Sequence, residues 1–249
     1  MVHSFLIIGQ SNMAGRGLPD DRHEIDTENI RVLRNGRWQP FFRPVNFDRS
    51  FSGTNLAESF AEQYAKDHNV IAGIIPCADG GTTVEQWHVG GLLHDNAVNC
   101  ARLAQRSSTI AGVLWHQGEG NSYGNSWETY YDKLSVIMES LRRDLSLYDV
   151  PFVLGGLGDF LESYGDGGLH GFRRINEIQR EYAEKTPMTG FAEATGLSHK
   201  GDFLHFSSDA LYDFGLRYYE VFRRLEDKNK VFTEKPYNEE ITEGAMERL

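Results

Sequence analysis

Long apolar runs are missing from this sequence, and so is any excess of positive charge. No stretch approaches the ~20 apolar residues that span a bilayer, so no membrane partner is expected. The start has no basic segment, and the apolar stretch Phe5–Ile8 is too short for the core of a secretion signal. That favours the cytoplasm, although a secreted chain trimmed of its signal would look the same. The 25 Lys+Arg stand against 36 Asp+Glu, a formal net charge of −11. Such a chain is repelled by nucleic-acid phosphates and anionic lipid, so no nucleic-acid partner is expected. Cysteine is nearly absent. Cys77 and Cys100 lack metal-ligand spacing and are expected as buried free thiols of a reducing compartment. The nine histidines form no H-x-x-x-H pair and no cluster with cysteine, so no structural metal is expected. There is no G-x-S-x-G, which removes the usual nucleophile elbow. The loop after the first apolar run has neither G-x-G-x-x-G nor a P-loop, which argues against a nucleotide binder.

What is present is an alternation. Apolar, β-branched runs at Ser4–Ile8, Val70–Pro76, Ile110–Trp115, Pro151–Gly155 and Met188–Ala192 read as strands. Asn29–Phe42 reads as a hairpin turning at Asn35-Gly36. Helical patterns cover Thr54–His68, Leu93–Gln105, Ser126–Ser146, Gly171–Lys185 and Ser207–Leu225. This order predicts an α/β fold, a three-layer α/β/α sandwich with about five parallel strands. No linker splits the chain, so residues 1–227 are expected as one domain and 228–249 as a polar tail. Ligands of such sheets bind beyond the carboxyl ends of the strands.

That rule narrows the search. After the first strand comes Gln10-Ser11-Asn12, after the second "CADGGTTVEQW", and after the third "HQGEGNS". "GDFLHFSS" precedes the last helix. Ser11 has two readings, a helix cap or a nucleophile. A serine hydroxyl is a weak nucleophile until a base takes its proton. Asp202 and His205, three positions apart, can share one side of a turn, the carboxylate holding the imidazole for Ser11. Gly80 and Gly81 permit a tight loop with inward N–H groups, and the Gln117 amide can donate to an oxyanion. Each also has a plain reading as a turn or a core amide. Glu119 reads as a loop brace, a competing carboxylate or a substrate contact, and His116 as a buried, satisfied imidazole.

Serine early and histidine late is also a family pattern. The sequence resembles the SGNH hydrolase superfamily, within it the carbohydrate-esterase branch of sialate O-acetylesterases and family 6-like acetylxylan esterases. "GQSNMAGRG", "GGTTVEQW", "WHQGEGN" and "DFLHFS" carry the resemblance in the family's order, from Gly9 to Ser207. It implies a flavodoxin-like fold, with Ser11 as nucleophile, His205 as general base and acid, and Asp202 as its orienter. It implies oxyanion donors from the Ser11 N–H, a Gly80 or Gly81 N–H and the Gln117 side chain. The family often has an aspartate just after H-Q-G-E. Gly120-Asn121 stand there instead, so no acidic role is carried past Glu119.

The implied activity is removal of O-acetyl groups from a carbohydrate through an acetyl-enzyme, without metal or organic cofactor. The expected substrate is acetylxylan or a xylo-oligosaccharide. The alternatives are sialate O-acetyl esters or a non-catalytic carbohydrate-binding relative. Trp87 and Trp127 are candidates to stack on a sugar ring, against a plain reading as core or rim. A sialate carboxylate would want a cation, for which Arg16, Arg173 and Arg174 are candidates. A homo-oligomer is compatible with the pattern.

Overall fold

The computed structural model describes residues 1–226; the polar tail read at 228–249 lies outside the described residues. Seven strands form one sheet in the order β3-β2-β4-β1-β5-β6-β7. They are β1 (Val2–Gly9), β2 (Ile30–Arg34), β3 (Arg37–Pro40), β4 (Ile71–Pro76), β5 (Thr109–His116), β6 (Phe152–Gly155) and β7 (Thr189–Ala192). All pair in parallel except β2 with β3. The expected five parallel strands thus become six. The Asn35-Gly36 hairpin forms, with φ of 50° and 75° at its two turn residues. Its first strand then joins β4 in parallel, pairing Val32 with Ile74.

Six helices are described: α1 (Ser11–Ala14), α2 (Leu56–His68), α3 (Leu92–Ala104), α4 (Tyr130–Leu145), α5 (Gly171–Lys185) and α6 (Ser208–Leu225). They cover both faces of the sheet. β1 shows why, because its side chains alternate between faces. Leu6 and Ile8 pack among Val98 of α3, Leu134 of α4 and Ile175 of α5. Phe5 and Ile7 pack among Phe60 of α2 and Phe214 and Phe222 of α6. Phe5 meets Phe60 and Tyr64 edge-on, with ring centres 4.9 and 4.6 Å apart. Such pairs add ~0.5–1.5 kcal/mol each beyond area burial.

Two expectations shift here. The helix read from Ser126 begins only at Tyr130. Residues 123–130 form successive turns, Ser126 N–H to Tyr123 O and Tyr130 N–H to Trp127 O, after Gly124 at φ 51°. Cys77 is buried, but Cys100 is only half-buried on α3.

The connections leave β1 central. Its left neighbour β4 and its right neighbour β5 are reached by separate crossovers, so a crevice opens beyond the carboxyl end of β1.

Candidate active site

β1 ends at Gly9, whose φ is 133°. A Cβ there would lie 2.0 Å from the His116 carbonyl oxygen of β5, so only glycine fits. The chain then turns, Gln10 takes the cap position, and Ser11 is the first residue of α1. The cap reading of Ser11 is thereby corrected: Gln10 is the cap residue, and it makes no side-chain cap bond. As a first-turn residue, Ser11 has no intrahelical acceptor for its own N–H.

His205 arrives from the other end of the chain, on the loop between β7 and α6. That loop closes on itself. His199 bridges to Phe206, and the Lys200 N–H donates to the His205 carbonyl at 2.9 Å. Asp202 Oδ1 accepts the Leu204 and His205 N–H groups at 3.0 and 2.8 Å, an Asx-type turn. Its Oδ2 is 2.7 Å from His205 Nδ1, and His205 Nε2 is 3.1 Å from Ser11 Oγ. The carboxylate holds the proton on Nδ1, which leaves Nε2 to accept from the serine hydroxyl. Burial pushes the Asp202 carboxyl up, but the His205 and Leu204 contacts hold it below the ordinary carboxylate range. Burial lowers the His205 imidazole more than Asp202 raises it. The imidazole is therefore neutral at neutral pH, the form that takes a proton.

Asn12 links the two halves of this relay. Its Nδ2 donates to Leu204 O at 3.1 Å, and its Oδ1 accepts the Phe206 N–H at 3.1 Å, on either side of His205. Behind it, Glu119 Oε1 accepts from Asn12 Nδ2 at 2.5 Å and pairs with His116 Nε2 at 3.1 Å. Burial raises the Glu119 carboxyl, but His116 and Asn12 pull it below its ordinary value. It is a buried anion whose Oε1 takes both contacts.

The relay opens into a cleft of about 390 Å³. Ser11, Arg16, Gly80, Gly81, Glu119 and His205 all line it. Phe51, Tyr123, Leu169 and Leu204 supply apolar wall. The Gly80 N–H donates to Asp48 Oδ2 at 2.8 Å, so it is committed. Gly81, at φ 79°, has open space where a Cβ would stand.

Several expected residues do not reach the cleft. Gln117 is fully buried, and its amide donates to Gln10 Oε1, Thr82 O and Asn121 Oδ1. It is an internal tie, not a free donor. Trp87 is buried edge-on against Trp115, and its indole N–H donates to Thr82 Oγ1. Trp127 packs against the core in the turns before α4, with the Arg174 guanidinium 5.6 Å from its ring. Arg173 pairs with Glu162. Arg16 does reach the cleft, but both its terminal nitrogens bond Asp48, at 3.0 and 2.6 Å. Asn121, near where the family pattern often has an aspartate, accepts the Val84 N–H and donates to Glu85.

Sequence reading gave no role to Asn12, Asp48 or Phe51. Asn12 sits inside the quoted "GQSNM" stretch and had a signal; Asp48 and Phe51 lie in a loop without one.

An α/β sheet with a Ser–His–Asp relay at the carboxyl end of β1 is the arrangement of a serine hydrolase. A sequence model for the family described as carbohydrate esterase, sialic acid-specific acetylesterase, matches residues 1–224. The chain belongs to that family, and it is an esterase, a carboxylic ester hydrolase. It is 26% identical over 239 residues to a probable carbohydrate esterase of Arabidopsis thaliana, covering 85% of this chain and 86% of the relative. An Arabidopsis thaliana protein of known structure superposes with a TM-score of 0.78 at 25% identity, covering 89% and 98% of the two chains. NanS superposes at 0.70 and 18% identity, covering 90% and 97%. A carbohydrate acetylesterase of Xanthomonas citri superposes at 0.67 and 19%, covering 90% of this chain and 56% of that one. The last two likenesses speak to fold alone.

Proposed function

We propose that the chain removes acetyl groups from hydroxyls of a neutral, xylan-type oligosaccharide through an acetyl-Ser11 intermediate. The observation that carries this is the in-line relay from Asp202 Oδ2 through His205 to Ser11 Oγ. His205 Nε2 takes the Ser11 hydroxyl proton as Oγ attacks the acetyl carbonyl. The Ser11 and Gly81 N–H groups receive the oxyanion; a single donor of this kind is worth ~10²–10³ in kcat. His205 returns the proton to the departing sugar oxygen, and the C–O bond breaks. Water, deprotonated by the same nitrogen, then releases acetate and restores Ser11.

The neutral sugar is favoured by the charges around the cleft. Of the cations lining it, Arg16 is ion-paired to Asp48, and Arg49 Nη1 is 2.8 Å from Asp79 Oδ1. A sialate carboxylate would have to displace one of these acids. A non-catalytic binding role would give no reason for the hydrogen-bonded relay.

The test uses a short aryl acetate, then acetylated xylo-oligosaccharides and O-acetyl sialic acid. Wild type is expected to hydrolyse the aryl ester, and Ser11→Ala to lose about 10⁴-fold or more. Equal activity in the variant sinks the nucleophile. Faster acetate release from the sialate than from the xylo-oligosaccharide sinks the neutral-sugar reading.

A further inference from the structure

A second and larger hollow adjoins the catalytic cleft. It is a groove of about 750 Å³, floored by Pro76–Asp79 at the end of β4 and flanked by the loop after β3 and the start of α3. Arg49 lines both the groove and the cleft, so the two lie side by side. The shared wall is the 47–51 strip, in which Phe47, Arg49, Ser50 and Phe51 are exposed and the Asp48 side chain is turned inward. Phe47 is 67% exposed on the groove side, Phe51 is 66% exposed on the cleft side, and Arg49 stands between them.

Exposed rings on a floppy loop would mean little, but this strip is pinned. Asn46 exchanges two hydrogen bonds with Ala78, Nδ2 to the carbonyl at 2.9 Å and the N–H to Oδ1 at 3.0 Å. The buried Asp48 carboxylate holds Arg16 and the Gly80 N–H. Ser52 Oγ donates to Asp48 Oδ1 and accepts the Arg49 N–H. At the far end, Phe42 lies over the Arg34 guanidinium, 3.7 Å from its ring centre. Solvent-facing rings on a pinned backbone need less ordering on binding than rings on a loose loop, which is how aromatic platforms gain affinity. A hollow of this size suits a multi-ring ligand. Its polar groups, Asn35, Gln39 and Asn96 among them, suit hydroxyls.

We propose that this groove holds the sugar units that flank the acetylated residue, with Phe47 as a stacking platform for the neighbouring pyranose. It rests on the neutral-oligosaccharide reading above. The enzyme then acts on chains rather than on single acetylated sugars, and Phe51 and Phe47 form successive steps of one binding ledge.

The experiment compares kcat/KM of wild type, Phe47→Ala and Phe47→Trp on an aryl acetate, an acetylated xylose and an acetylated xylotetraose. Phe47 is mostly exposed, so its truncation spares the core. Expected is a rise in wild-type kcat/KM with chain length. Phe47→Ala should lose about fivefold on the tetraose, the scale of one aromatic stacking contact, with no change on the aryl ester. Phe47→Trp should restore the tetraose value. No length dependence, or an equal loss on all three substrates, overturns the proposal. Cleavage of the aryl ester with no release from either sugar rejects the oligosaccharide reading itself, and the groove assignment with it.

Discussion

His205 is held between two opposing influences, and its pH behaviour follows from them. Burial lowers the imidazole, while the Asp202 carboxylate raises it, and burial wins. The base must be neutral to act, so kcat/KM falls as pH drops through the His205 pKa. Because that value is depressed, activity should persist to more acidic pH than an ordinary imidazole allows. In Asp202→Asn the raising influence is gone, so the acid limb should move further down. The plateau should fall about 10⁴-fold, the scale seen when a relay acid becomes an amide. A pH profile of aryl-acetate hydrolysis checks both. An acid limb that moves up, or a plateau that stays, contradicts the relay. Ser11, Asp202 and His205 were legible because a hydroxyl, an imidazole and a carboxylate at strand ends suggest one chemistry. Asn12 lay in a marked stretch without its role being visible, and Asp48 carried no mark at all. Their roles rest on contacts with Glu119 and Arg16, 107 and 32 positions away, and no spacing announces them. Gln117 and Trp87 misled for the same reason. Adjacency to a site block says nothing about which way a side chain faces.

The elements themselves were easier to read than their ends. Apolar period and turn chemistry located every strand and each of the longer helices among the described residues, while the first turn of α4 was misjudged because Ser126 resembles a cap. Only a three-dimensional contact explains Gly215, in the middle of α6. A Cβ there would lie 2.1 Å from both the Leu56 carbonyl and Ser59 Oγ of α2. Ser59 Oγ also donates to the Tyr212 carbonyl of α6 at 2.7 Å, so the two helices touch at their backbones. Gly215→Ala gains ~1 kcal/mol of helix propensity. Overpacking costs ~1–3 kcal/mol, more where the obstacle is backbone. The clash should win, and urea unfolding should show a net loss of about 1 kcal/mol or more. A raised midpoint would mean that α2 and α6 separate freely.

At the scale of the molecule, the sheet order is what makes a site out of distant residues. β1 delivers Ser11 to the centre, β4 and β5 bring the glycine and H-Q-G-E loops to its two sides, and the loop before α6 closes over with His205. The sequence showed the alternation but not that the Asn35-Gly36 hairpin would extend the sheet past β4, because hairpins carry no mark of their outer partner. That extension sets the β3 to α2 loop, with Phe47, Arg49 and Phe51, beside the cleft. The central claim is that the fold activates one serine, Ser11, through one histidine. The most direct measurement is peptide mass spectrometry after brief exposure to a fluorophosphonate, which phosphonylates an activated serine. The adduct is expected on the peptide that carries Ser11, absent in Ser11→Ala and formed far more slowly in His205→Ala. An adduct on another serine, or wild-type labelling without His205, would contradict it.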